Sequence, residues 1–301
     1  LEVGIEDPDE PKDPETPHFI PAYSQKVKAS KEFQTFQFDH SFVLNSLKSS
    51  MEGYVFHNQP LDTDDLLEQT VKLFNSCKTS LELFDMLHNM RAYDDSTHAH
   101  SLNVALICRR IGKWLKVDAA TLDTLTLCGL LHDIGKLKIP DEILNKPGKY
   151  TDEEFDLVKR HTKFGYELLK PLNIDPHIKK AALLHHERCD GSGYPLKATQ
   201  KDLDDFSMVV AIADVYDAMT AARSYRAPLC PFQVIERFEQ EGLQKYKPKF
   251  ILTFLQHIAS TYQNNRVLLS NGQSANIVML NQQHLARPIV QLNDNSCIDL
   301  S

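Results

Sequence analysis

Residues Leu125–Lys136 read LTLCGLLHDIGK, an apolar run that ends in a histidine and an aspartate side by side. With Asp118 upstream as a helix-opening cap, the run predicts a helix continuing through Leu131. Such a helix carries His132 and Asp133 into the interior, where an imidazole and a carboxylate need partners. The pattern recurs at Ala182–Pro195, ALLHHERCDGSGYP, where the doublet is His185-His186. Neighbouring residues on a helix point about 100° apart, so a doublet brackets one site only at a helix end or between helices.

Outward from these stretches, helical signals dominate from Asp62 to about Tyr262. Asp62 or Thr63 caps DDLLEQTVKLF, with acids in the first turn where the helix dipole favours them. Ser80 opens LELFDMLHNM. Val104, Ile107, Ile111 and Trp114 form one helical face of the stretch that begins at His98. Thr151 with Glu154 is a capping box that opens FDLVKRHTKFGYELL, a single helix stopped by Pro171. Asp175, Leu203 and Pro231 begin further helices, and another runs from about Phe250. After Asn264 the pattern shifts to RVLLS, NIVML and RPIVQL, three short strands, with a hairpin turn at Asn271-Gly272.

The first 30 residues are rich in Pro, Asp and Glu and read as an extended arm. Phe33, Phe36 and Phe38 suggest a short strand, followed by a helical stripe at Val43, Leu44 and Leu47. The expected class is all-α, a helical bundle with a small C-terminal β appendage and an extended N-terminal arm. The expected division is 1–60 arm and linker, 61–263 catalytic helical domain, and 264–301 β-rich appendage.

Length and composition suit a soluble globular chain of 301 residues, 42% hydrophobic and 25% charged. The net charge of -8 argues against a nucleic-acid polymer as partner but allows a local basic pocket for a small anion. Cys77, Cys108, Cys128, Cys189, Cys230 and Cys297 form no C-x-x-C pair, which suits a reducing cytosol. No apolar run approaches the roughly 20 residues that span a bilayer. The chain opens on Leu1 rather than Met and reads as a piece of a longer protein, so a missing leader carries no information.

Around the two doublets stand His100, His161 and Asp214, each on an expected helix. The set of five imidazoles and two carboxylates suits Fe, Mn, Zn, Co or Ni better than Ca. Seven ligands exceed one four-coordinate metal. They fit two ions sharing Asp133, about 3.5–4 Å apart, which activate water and clamp an in-line displacement at phosphorus. The residues alone leave two readings open, metal-dependent hydrolysis and a structural histidine network.

The ordered motifs go further. HDIGKLKIPDEILNKPGKYTDEE, His161, HHERCDGSGYP and ADVYDAMTAARSYR together resemble the HD-GYP family, the bacterial HD phosphohydrolases that degrade cyclic dinucleotides. The resemblance spans roughly residues 80 to 260. It implies one metal held by His100, His132, Asp133 and Asp214, and a second held by Asp133, His161, His185 and His186. Fe or Mn is favoured. Lys136 would face the scissile phosphate, as a cation that stabilises developing charge. Arg223 and Arg226 would grip phosphate, which Arg does in bidentate fashion. Gly191, Gly193, Tyr194 and Pro195 would shape the wall of the nucleotide site and offer a surface for protein partners; a homodimer is also compatible. Asp190 would support that loop. Apart from the resemblance, Glu187 is expected to hydrogen-bond a ligand histidine from behind.

The implied reaction is hydrolysis of cyclic di-GMP to linear pGpG, and on to GMP if the second bond is cut. The alternatives are preference for 3',3'-cyclic GMP-AMP, another nucleotide-hydrolysing HD enzyme, or a weakly catalytic sensor or scaffold. Three positions depart from the family. Ser96 stands where some members carry a third-metal Glu, favouring two metals. Ser224 replaces Pro in the arginine segment, and Tyr246-Lys247-Pro248 replaces an acidic motif. His98 is expected at the surface or behind a ligand. His57, His88, His177, His257 and His284 are read as ordinary.

Overall fold

The computed structural model describes residues 23–90, 96–146, 148–221 and 229–301. The arm upstream of residue 23 and the pair Arg223 and Arg226 lie outside the described residues. Among the described ones the fold is a helical bundle with a four-stranded sheet at its C-terminal end. None of these helices is long and apolar enough to cross a membrane.

The described residues open with the helices α1 (Tyr23–Ala29), α2 (Lys31–His57), α3 (Thr63–Ser76) and α4 (Ser80–Met90). The strand expected around Phe33–Phe38 is instead the first part of α2. Ser30 caps that helix by accepting from the Phe33 amide at 3.1 Å. Phe33, Phe36, His40, Val43, Leu44, Leu47 and Met51 then recur at helical spacing on its buried face. Phe38 faces solvent because it lies off that stripe. The expected limits at residues 60 and 263 remain our proposal of folding units, and one buried apolar cluster runs across both, from Phe33 to Val290.

The centre of the bundle is α5 (Thr97–Trp114), α6 (Ala119–Leu131) and, further on, the helix Asp205–Thr220. Ser96 and Asp118 cap α5 and α6 with their side-chain oxygens. The second half of α6 is buried on all sides. Fully burying a leucine stabilises by about 2 kcal/mol, and Leu125, Leu127, Leu130 and Leu131 are all buried. That run offsets the several kcal/mol, roughly, of taking an ionisable group such as Asp133 out of water at the helix end.

Next come α7 (Asp141–Leu144), α8 (Asp152–Lys159), α9 (His161–Leu169) and α10 (Pro176–Leu184). The capping box of Thr151 and Glu154 opens α8, but the single helix expected from it breaks at Arg160. The Arg160 amide donates to the Leu157 carbonyl and tightens the last turn, while His161 Nδ1 donates to the Val158 carbonyl. His161 therefore begins α9 instead of lying mid-helix. Asp204 caps α11 (Asp205–Thr220), which precedes α12 (Pro231–Glu241) and α13 (Pro248–Thr261).

The C-terminal strands β1 (Arg266–Leu268), β2 (Ser274–Met279), β3 (Ile289–Leu292) and β4 (Cys297–Asp299) form an antiparallel meander in chain order. Gly272, with φ +81°, turns β1 into β2 at the expected hairpin. The fourth strand was not expected, being short and wholly exposed. Arg287 reaches Glu236 and the Leu285 amide reaches Glu239, which ties the sheet to α12. Lys247, whose role the sequence left open, pairs with Asp205 at 2.6 Å.

Candidate metal centre

Both doublets sit where helices end. His132 caps the C-terminus of α6 and His185 that of α10, so each releases its following residue at a new angle. The short 3-10 segment Ile134–Lys138 then packs on α9. Gly135 makes this possible, because a Cβ there would lie 2.0 Å from the His161 carbonyl oxygen and 2.4 Å from the Gly165 amide nitrogen. Asp133 and His161 are brought together by that backbone contact.

All seven expected ligands converge. Asp133, His161, His185 and His186 each present a ligand atom to one point, and His100, His132 and Asp214 to another, with the atoms of each group within 4.8 Å of one another. Asp133 faces both. Its Oδ1 lies 3.3 Å from His161 Nε2 and 3.6 Å from His185 Nε2. Its Oδ2 lies 3.3 Å from His132 Nε2 and 3.7 Å from His100 Nε2. Asp214 reaches His100 Nε2 at 3.0 Å with one oxygen and His186 Nδ1 at 3.7 Å with the other. His132, Asp133, His161, His185 and Asp214 are buried, while His100 and His186 form a partly exposed rim.

The ring tautomers follow from fixed acceptors. His132 Nδ1 donates to the Gly129 carbonyl at 2.8 Å, His161 Nδ1 to Val158 at 2.7 Å, and His185 Nδ1 to Ala181 at 2.9 Å. A carbonyl only accepts, so each Nδ1 carries the proton and each Nε2 offers a lone pair. His161 Nε2 and His185 Nε2 are 3.3 Å apart, lone pair against lone pair. His132 Nε2 and Asp133 Oδ1 are buried without a hydrogen-bond partner. Unsatisfied electron-pair donors facing one another from buried positions fit a cation and little else.

The electrostatics agree. Burial pulls the His161 pKa down to about 3 and lowers His185 and His186 too, which keeps these imidazoles neutral and available. Burial alone would raise Asp133, but Lys136 and His132 outweigh it and hold the carboxylate ionised. Burial also works against charging His100, yet Asp214 and Asp217 overcome it and push the pKa up to about 9. Lys136, expected to face substrate, has its Nζ 2.5 Å from Asp133 Oδ2.

Asp217 was missed in the sequence. It accepts from His100 Nδ1 at 2.8 Å and so fixes that ring with Nε2 toward Asp214. The signal was its place one helical turn after Asp214, on the same face of α11. Asp217→Asn is expected to weaken metal binding about 10- to 100-fold while leaving the fold intact. Competition titration against a coloured chelator measures this, and unchanged affinity would remove Asp217 from the site.

Glu187 also differs from expectation. It holds no ligand histidine; its buried carboxylate accepts from the Leu196 and Ala198 amides at 2.5 and 3.0 Å, fastening the loop after the doublet. Asp190 supports the loop through Ser192. A Cβ at Gly193 would lie 2.4 Å from the Glu187 Cα, so only glycine lets the loop close on the doublet. Tyr194 then stacks on His186, with ring centroids 4.6 Å apart. Ser96 Oγ is engaged in the α5 cap, and its sequence neighbours Asp94 and Asp95 lie outside the described residues. His98, expected at the surface or behind a ligand, is buried.

Comparison with known proteins gives this arrangement a family. The model of the HD domain family matches residues 65–250, and the chain belongs to that family. Its glycine-tyrosine-proline loop and its relatives fit the HD-GYP branch. The chain is 36% identical over 178 residues to a cyclic di-GMP phosphodiesterase of Thermotoga maritima, covering 58% of this chain and 48% of that one. It is 34% identical over 183 residues to 3'3'-cGAMP-specific phosphodiesterase 2 of Vibrio cholerae, covering 60% of this chain and 35% of that one. The chain thus spans about half or less of the length of these two curated relatives. Among solved structures, Bd1817, an HDG"Y"P protein from Bdellovibrio bacteriovorus, shares the fold with a TM-score of 0.60 at 18% identity, covering 78% of this chain and 74% of that one. HD domains are metal-dependent, and the convergent cluster is where this chain could hold metal.

Proposed function

We propose that the chain hydrolyses the phosphodiester bonds of cyclic di-GMP at a centre of two divalent transition metals, iron or manganese first among them. The observation that carries this reading is Asp133, whose two oxygens face two separate groups of imidazoles. The ions would be held by His100, His132, Asp133 and Asp214 on one side and by Asp133, His161, His185 and His186 on the other. Zinc, cobalt and nickel suit the same donors. When bound, such ions acidify water and neutralise charge on a phosphoryl group.

The chain's own residues supply the rest. His161, His185 and His186 enter neutral, so metal uptake displaces no proton from them, whereas His100, held charged by Asp214 and Asp217, gives one up. Lys136, on the same edge of the cluster as Asp133 Oδ2, supplies positive charge for a developing phosphorane. Arg223 and Arg226 are assigned to substrate phosphate by the motif they occupy. Gly193 and Tyr194, with the loop fastened by Glu187, form one wall and exclude water.

The test is turnover of cyclic di-GMP by anaerobically purified, metal-analysed protein, read as linear pGpG by chromatography. The expected result is linear product that depends on metal content, and absence of product in the iron and manganese forms would overturn the reading. A second substrate, 3',3'-cyclic GMP-AMP, is favoured by the Vibrio cholerae relative and is separated by comparing the two rates side by side.

A further inference from the structure

Phe155 sits on α8 with 45% of its surface exposed. Single exposed aromatics are ordinary; the surroundings of this one are not. Its ring meets the Tyr194 ring edge-on at 6.3 Å. Tyr194 in turn lies flat on His186 at 4.6 Å and edge-on to His161 at 6.5 Å. A chain of rings therefore leads outward from the proposed metal ligands and ends at Phe155. Tyr194 has one face against His186 and is only partly exposed, so Phe155 is the outermost ring of this series, with surface open to a ligand. Lys159 lies 4.9 Å from the Phe155 centroid, with its ammonium paired to Asp156.

A phosphodiester between two nucleosides brings a base on either side of the reacting phosphorus. Bases splayed from a backbone stack on aromatic side chains in a way that tolerates sequence, and each stack contributes measurably to binding. In a chain of net charge -8, much of the grip on a dinucleotide must come from its bases and its bound phosphate.

We propose that Phe155, backed by Tyr194, is a stacking platform for one base of the dinucleotide. This rests on the phosphodiesterase reading above. Phe155 makes no contact with the ligand cluster and acts on binding alone.

The experiment uses the metal-loaded full chain. Phe155→Ala is expected to raise KM for cyclic di-GMP about tenfold, within the range of one lost base stack, with kcat, metal content and melting temperature unchanged. Phe155→Trp is expected to restore KM to the native value or below it. A readout free of turnover is the fluorescence of a cyclic dinucleotide carrying 2-aminopurine, quenched on binding to the native chain and to Phe155→Trp but not to Phe155→Ala. Native turnover with an unchanged KM and full quenching in Phe155→Ala overturns the platform and leaves the phosphodiesterase reading standing. A native chain that neither binds nor cleaves the dinucleotide overturns both.

Discussion

Asp133→Ala is expected to lower turnover roughly 1000-fold or more, at or beyond the top of the 100- to 1000-fold typical of losing one transition-state hydrogen-bond donor. The reason is that one side chain faces both groups of imidazoles, so its loss removes a donor from each proposed metal at once. Metal analysis should show both ions depleted. The fold should survive, because Asp133 sits at a helix end and the packing of α6 is made by the residues before it. Asp133→Asn separates charge from shape: it keeps the volume, and its amide cannot offer two anionic oxygens. Both variants should therefore fail alike. An Asp133→Ala protein that keeps two metals and native turnover would show the bridge to be wrong.

Gly135→Ala is expected to be the most disruptive added methyl among the described glycines. A Cβ at that position would lie 2.0 Å from the His161 carbonyl oxygen, and backbone cannot rotate away as a flexible side chain can. Overpacking of this kind costs about 3 kcal/mol, which for a domain of this size lowers Tm by roughly 5–10 °C. The same displacement moves Asp133 from His161, so metal affinity should fall with stability. Thermal melts with and without metal measure both. A variant that melts as the native chain does would mean that the 3-10 segment and α9 have slack at this contact.

Much of the bundle was legible because its signals are local. Asp118, Thr151 and Asp175 are side chains whose oxygens cap helices wherever they stand before a periodic run. The break at Arg160 was not legible, since it depends on a Val158 carbonyl drawn to a histidine ring one turn later. Phe33–Phe38 misled because aromatic spacing over six residues suits a strand, and only the longer stripe to Met51 declares the helix. At the site, the apolar runs before His132 and His185 foretold that both doublets would sit at helix ends, with His132, Asp133 and His185 buried and His186 left partly exposed. What the chain could not disclose is which carboxylate holds which partner. Glu187 follows the doublet directly, yet its oxygens turn to the loop, while Asp217, distant in sequence, orients His100.

The three backbone carbonyls that accept from His132, His161 and His185 have a practical consequence. Those rings are oriented by the chain and not by whatever ion arrives, so exchanging manganese for iron or zinc should leave the cage in the same shape. Differences in rate across a metal series would then report the intrinsic acidity and exchange kinetics of each ion, and the protein becomes a fixed ligand field against which ions can be ranked.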